Sequence, residues 1–366
     1  MQALILAGGE GTRLRPLTTT YPKPVVPLVD RPFIGYMLDW LRRHDVDDVV
    51  MSCGHMADGV RAVLGDGSSF GVRLRFVEEP RPLGTGGALK FAEDLLEDRF
   101  LMLNGDVLTD IDLSAQIAQH ERTGARATLA LTPVEDPSAY GLVRLNGDMS
   151  VKGFVEKPSA DQIDTNNISA GAYVLSRSVL ELLEPGKPAS IERDVFPRLV
   201  GDGLYGYVGA GYWMDIGTPE RYLQGTFDIL EGVVETAVGG RMGESFRSVA
   251  AGVNGHARII PSALVEDGCR IGAGSRVGGR VVLGRGVTIG ENTAIERAVI
   301  LDGASIGANC ALSGCIIGAG ARIGDDCHVD GLSVLGEGVE LGAGNIISNG
   351  ARLFPGVKLP DRAIRF

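Results

Sequence analysis

Two apolar rhythms divide the chain. From Ile259 onward an apolar residue recurs every six positions, at Ile259, Val265, Ile271, Val277, Leu283, Ile289, Ile295 and Leu301. Ile306 and Leu312 follow after a one-residue slip, and a second slip opens the series Ile317, Ile323, Val329, Leu335, Leu341, Ile347, Leu353 and Leu359. A helix repeats at 3.6 and a lone strand at two, so a sustained period of six predicts short strands stacked on the faces of a prism, a parallel β-helix of hexapeptide repeats. Up to about residue 230 the rhythm is different. Short apolar runs (3–7, 46–52, 72–78, 100–103, 127–131) alternate with stretches that are apolar on one helical face, such as Phe33, Ile34, Met37, Leu38 and Leu41. Strand, loop, helix, strand is a βαβ opening, and its repetition predicts an α/β domain. Residues 133–158 alternate more tightly between turn signals and read as a hairpin or small sheet; 168–175 is a strand, 190–199 a helix, and a last helix runs to about 230. The expected division is a first domain over 1–230, a linker with the initial coil over 231–258, and the β-helix over 259–366.

Composition agrees. Fifty-three glycines are many for a plain α/β protein, which fits the presence of a glycine-rich repetitive segment. A net charge of −11 argues against nucleic acid or an anionic membrane as partner, so any phosphate site must be local. The first apolar run is broken at Gly8 and has no basic leader, which predicts neither a signal peptide nor a membrane span. Five cysteines without a C-x-x-C pair fit reduced thiols in a cytoplasm, packed as small fillers.

The chemistry concentrates first at Leu6-Ala7-Gly8-Gly9-Glu10-Gly11-Thr12-Arg13, which closes with Pro22-Lys23-Pro24. A buried strand feeds a glycine turn whose main-chain N–H groups can approach phosphate oxygens, and Arg13, Arg15 and Lys23 add three cations. The Walker and dinucleotide patterns both fail, the latter because Leu14 stands where its third glycine belongs. Asn104-Gly105-Asp106 ends a strand, and Asp215 sits in Trp213-Met214-Asp215-Ile216-Gly217. These two carboxylates suit Mg²⁺, which takes one or two protein carboxylates and completes its octahedron with phosphate and water. Glu156-Lys157-Pro158 offers a carboxylate for a sugar hydroxyl and a cation for a sugar phosphate. Glu79 only accepts hydrogen bonds, which favours guanine, with two N–H groups on one edge, over uracil or thymine. His256 and His328, in or near the β-helix, are read as surface residues rather than as acyltransferase bases.

Residues 3–24, Leu83-Gly84-Thr85-Gly86, Asn104-Gly105-Asp106, Pro137–Gly141, Phe154–Pro158, Ala170-Gly171, Ser190-Ile191-Glu192 and Trp213–Gly217 together resemble the sugar-phosphate nucleotidyltransferases, and among them the mannose-1-phosphate guanylyltransferases. The resemblance implies a Rossmann-like mixed-sheet nucleotidyltransferase domain followed by a left-handed parallel β-helix. It implies transfer from GTP to mannose 1-phosphate with release of pyrophosphate. By it the Gly8–Gly11 loop with Arg13 and Lys23 would hold the triphosphate, Glu79, Gly84 and Thr85 would meet the base, and Leu6, Ala7, Gly9, Thr12 and Asn104 would join them in binding substrate. Asp106 and Asp215 would hold Mg²⁺, while Gly141, Glu156, Lys157 and Asn166 would bind the sugar phosphate. One position departs from the pattern: Ser169 stands where relatives commonly carry Asn, at a sugar contact. The alternatives are the same chemistry with glucose 1-phosphate and UTP or dTTP, a catalytically silent regulatory homologue, and acyl transfer on the β-helix. The flat faces of that β-helix suit a homo-oligomer.

Overall fold

The computed structural model describes residues 1–54, 56–250 and 257–365. They form two compact units, Met1–Gly9 with Ile34–Trp213, and Glu10–Phe33 with Met214–Phe366. This grouping follows compactness rather than chain order: the 10–33 segment, early in the sequence, belongs with the β-helix.

In the first unit, strand β1 (Gln2–Ala7) feeds helix α1 (Phe33–Arg43), strand β2 (Asp48–Cys53), helix α2 (Ala57–Leu64), strand β3 (Arg73–Glu78), helix α3 (Gly84–Phe91) and strand β4 (Arg99–Asn104). These strands pair in parallel in the order β3-β2-β1-β4. Ala3, Leu4 and Ile5 are fully buried, which is why β1 is an unbroken apolar run: a central parallel strand is covered on both faces. Helix α4 (Leu113–Thr123) and strands β5 (Ala127–Pro133), β6 (Gly141–Leu145), β7 (Val151–Glu156), β8 (Asn167–Ser176) and β9 (Leu204–Val208) follow. The 133–158 stretch does contain an antiparallel hairpin, β6–β7, but it joins the main sheet, whose order is β7-β6-β8-β4-β1-β2-β3, with β5 on β8 and β9 on β5. Antiparallel β8 carries a register shift against β5 between Ser169 and Tyr173. Strand β9 is not predicted from Leu-Tyr-Gly-Tyr-Val, and 190–199 is a π turn followed by one α turn rather than a regular helix.

In the second unit the described residues form three parallel sheets of seven, six and six short strands, the three faces of the expected prism. The core holds Val265, Ile271, Val277, Leu283, Ile289 and Ile295, and then Ile300, not Leu301. The first slip therefore falls one hexad earlier than the sequence suggests. Leu283, Ile300 and Ile317 stand in register on successive coils, so these turns of the prism are one residue short, and Leu301, although buried, lies outside that core. At Gly272 a side chain would put its first carbon 2.6 Å from the Gly290 carbonyl carbon, so the coils stack closest where glycine allows. Arg247–Val249 pairs with Ala263–Val265, so the stack starts within 231–258, the stretch read as linker and initial coil. On one face the outward positions are also apolar: Leu264, Val282, Val299, Ile316 and Val334 are at most 1% exposed. Helix α5 (Pro219–Leu230) meets the prism through Phe227, whose ring lies under the guanidinium groups of Arg280 and Arg297 at 5.7 and 5.9 Å. All five cysteines are unpaired and buried. His256 lies outside the described residues; His328 is exposed and pairs with Asp330 at 2.8 Å.

Candidate active site

In open α/β sheets ligands lie beyond the carboxyl ends of the parallel strands, and the first unit gathers its candidates there. Leu6 is in register with Asn104, and Gly105 N–H donates to the Leu6 carbonyl at 2.9 Å, which ties the β1 and β4 ends together and carries Asp106 just past them. Gly8 and Gly9 are exposed, and nothing stands within 4 Å of where a Gly9 side chain would begin. A Cβ on Gly8 would lie 3.5 Å from Glu79 Oε1, so these two candidates are neighbours. Glu79, however, is already engaged. Its Oε1 accepts from Ser52 Oγ at 2.9 Å and its Oε2 from Leu83 N–H at 3.1 Å, so it braces the turn into α3. Thr85 is likewise turned inward: its hydroxyl donates to Glu192 Oε2 at 2.7 Å and accepts from Ile191 N–H at 2.9 Å. Gly84 has φ +71°, and a Cβ there would come 2.6 Å from the Ala189 carbonyl oxygen. The glycines of this turn serve close packing on 187–191.

The hairpin end forms a second cluster. Glu156 and Gly141 pair across β7 and β6, and a Cβ on Gly141 would strike Phe154 and Glu156 Oε2 at 2.7 and 2.9 Å. Lys157 is exposed with φ +50°, an uncommon conformation for a side-chain-bearing residue, and its N–H donates to the Tyr140 carbonyl at 3.1 Å. Half-burial raises the Glu156 carboxyl above the usual range, the Glu192 charge adds to this, and Lys157 and Arg193 oppose it. Asn166 is exposed, its carbonyl taking Val134 N–H at 3.0 Å. Between the two clusters stands Tyr173, 1% exposed, whose hydroxyl shares a 2.9 Å hydrogen bond with Ser169. Burial holds that phenol neutral well above its ordinary range; the negative charges of Glu192, Glu156 and Asp106 add to the effect, against the Ser169 bond. Trp213 Nε1 donates to the Ala170 carbonyl at 2.8 Å while its ring meets Tyr140 edge to face at 5.3 Å. A Cβ on Gly171, at φ +72°, would lie 2.8 Å from Asn104 Nδ2, so Asn104 packs on the bulge.

The second unit holds the cations expected at the triphosphate, Arg13 and Lys23. Gly11, at φ +62°, turns the chain; its carbonyl accepts from Thr18 Oγ1 at 2.8 Å, and a Cβ on it would press on Thr18 and Lys23 at 3.0 and 3.1 Å. Thr12 and Arg13 are exposed on the short turn that follows. A Cβ on Gly217 would be 2.7 Å from Asp215 Oδ1 and 2.8 Å from Arg13 Nη2, so glycine lets these two groups approach each other. Asp215 also pairs with Arg221 at 2.6 Å. Among the described residues no three His, Cys, Asp or Glu side chains gather as a metal site. Donors limited to a few hard carboxylates fit an ion that keeps phosphate and water in its shell better than one needing a full protein cage.

The family model for nucleotidyl transferases matches residues 2–232. The chain belongs to that family. A second model, the GMPPB C-terminal domain, matches residues 259–362 of this nucleotidyltransferase. A mannose-1-phosphate guanylyltransferase of Mycobacterium tuberculosis is 38% identical over 371 residues, covering 100% of this chain and 98% of the relative. The mannose-1-phosphate guanyltransferase of Schizosaccharomyces pombe is 37% identical and covers 74% of each chain. HddC from Yersinia pseudotuberculosis, solved in complex with GMP-PN, superposes with a TM-score of 0.52 at 30% identity, covering 61% of this chain and 96% of that one. Among the described residues of this nucleotidyltransferase no helix is long and apolar enough to cross a membrane. Sequence reasoning had assigned Tyr173 and Glu192 no role. Tyr173 sits in an apolar strand run, and only the fold brings three carboxylates around it; Ser190-x-Glu192 carried a signal as a turn start, since Ser190 accepts from Arg193 N–H.

Proposed function

We propose that this nucleotidyltransferase joins GTP to mannose 1-phosphate, forming GDP-mannose and pyrophosphate. The observation that carries the reading is that similarity to a mannose-1-phosphate guanylyltransferase runs the full length of the chain, β-helix included. The phosphate oxygen of the sugar attacks the α-phosphorus, the bond from that phosphorus to the β-phosphate oxygen breaks, and the pair of electrons leaves with pyrophosphate. The nucleophile is already anionic, so no general base is needed; alignment and charge neutralisation supply the rate. Arg13 and Lys23 hold the triphosphate beside the Gly8–Gly11 turn. Lys157 holds the sugar phosphate and Glu156 accepts from a sugar hydroxyl, the role its exposed neighbour and half-buried carboxylate suit. Asp106 and Asp215 are the residues that would hold Mg²⁺, which when bound offsets charge on the phosphates. Because Glu79 is shared with Ser52 and Leu83, base choice rests less on that side chain than its acceptor chemistry suggests. A cytoplasmic setting and self-association through the β-helix belong to the same reading.

The test is pyrophosphate release across GTP, UTP, dTTP, ATP and CTP against mannose, glucose and N-acetylglucosamine 1-phosphates with Mg²⁺. A maximum at GTP with mannose 1-phosphate supports the proposal. A maximum in another cell moves the specificity, and release in none removes the catalytic reading.

A further inference from the structure

The segment Glu10–Phe33 carries Arg13 and Lys23, yet it is built into the same compact unit as the β-helix. Several contacts hold it. Buried Tyr222, on α5, donates its hydroxyl to the Pro27 carbonyl at 2.6 Å. Half-burial raises the Tyr21 phenol above its ordinary range, and the charges of Glu337 and Asp302 add to this. The second contact is a two-armed bridge. Arg241, in the short helix Ala237–Met242, donates from Nη1 to Asp30 Oδ2 at 2.9 Å and from Nη2 to Glu266 Oε1 at 3.0 Å. Asp30 lies at the Pro27–Pro32 hairpin that follows Lys23, with its side chain only 6% exposed. Glu266 directly follows the strand Ala263–Val265 and is 13% exposed.

We infer that Arg241 is a positioning residue for nucleotide binding, fixing the segment that bears Arg13 and Lys23 to the first coils of the β-helix. The inference rests on the triphosphate role proposed above for those two cations. A planar guanidinium can span two carboxylates with its two terminal nitrogens at once, which a single ammonium cannot. Cations on a loop act on a phosphate only when their backbone is held to within a fraction of an ångström, and the β-helix supplies an anchor here. Arg241 is itself 41% exposed, so its truncation leaves no cavity, and Asp30 keeps Arg31 at 3.0 Å; Glu266, with its side chain 13% exposed, loses the Arg241 bond, so the double variant Arg241→Ala/Glu266→Gln, which carries no charge there, is the control for the fold.

The experiment compares the full-length chain with Arg241→Ala, Arg241→Lys and Glu266→Gln. It uses calorimetric binding of GTP with Mg²⁺, steady-state pyrophosphate release and thermal melting. Arg241→Ala is expected to weaken GTP binding and raise its KM about tenfold while the sugar-phosphate KM holds and melting stays within about 2 °C. Arg241→Lys falls between, and Glu266→Gln shifts the same constant in the same direction. Unchanged GTP binding in Arg241→Ala overturns the inference, as does an equal rise in both KM values with a lowered melting point. The failures separate: a wild-type chain that binds GTP but releases no pyrophosphate overturns the catalytic reading and still lets GTP binding decide Arg241, whereas one that binds no nucleoside triphosphate overturns both.

Discussion

Glu156 and Lys157 are adjacent in sequence and receive opposite treatment from the fold. The lysine is exposed on a left-handed backbone position, and the carboxylate is half-buried beside Glu192. Because the folded chain raises the Glu156 pKa, it binds that proton more tightly than the unfolded chain. Stability from this group is thus full at low pH and falls as pH rises through the ordinary carboxylate range toward the raised value. Glu156→Gln, which cannot ionise, is expected to melt higher than wild type at pH 7 and to lose that advantage near pH 4, while sugar-phosphate affinity drops; equal melting at both pH values would contradict the burial argument. Asp106→Asn is expected to cost about a thousandfold or more in turnover with unaltered melting, checked by pyrophosphate release beside a melting curve. The identity of such residues was legible because strand ends and glycine turns announce themselves locally. Their partners were not: Ser52 is 27 residues from Glu79, and Glu192 is 107 from Thr85, so whether a polar group faces a ligand or a neighbour is decided by topology.

Among the elements, periodicity was readable and phase was not. Six-residue spacing predicts the prism at once, but at the first slip Ile300 and Leu301 are both apolar and the pattern alone does not choose. Stacking chooses, since Ile300 pairs with Leu283 and Ile317 on the coils beside it. Ile300→Ala is expected to cost about 3–4 kcal/mol in denaturant unfolding and Leu301→Ala clearly less, an order that would reverse if the sequence phase were right. The turn into α3 gives a similar test. Gly84→Ala must hold an alanine at positive φ with its methyl 2.6 Å from the Ala189 oxygen, and it is expected to destabilise by about 2 kcal/mol. The β9 strand escaped because its glycine and paired tyrosines fit a turn as well as a strand; its pairing with β5 supplies what the letters lack.

At the level of the whole molecule, the five thiols are buried and unpaired. A thiol reagent is expected to label none in the native chain within minutes and all five after denaturation, with melting indifferent to reductant; rapid native labelling would show that the packing around them opens. The order of domains was plain in the sequence because two rhythms cannot share one fold. What the sequence hid is that residues 10–33 are packed with a partner encoded much later. That has a consequence for biosynthesis. The segment leaves the ribosome about 180 residues ahead of Met214–Phe366, a delay of roughly 10 to 35 s at ordinary elongation rates. Throughout that interval Leu14, Leu17, Val25, Val26 and Leu28, all buried in the finished protein, wait without the later part of their compact unit.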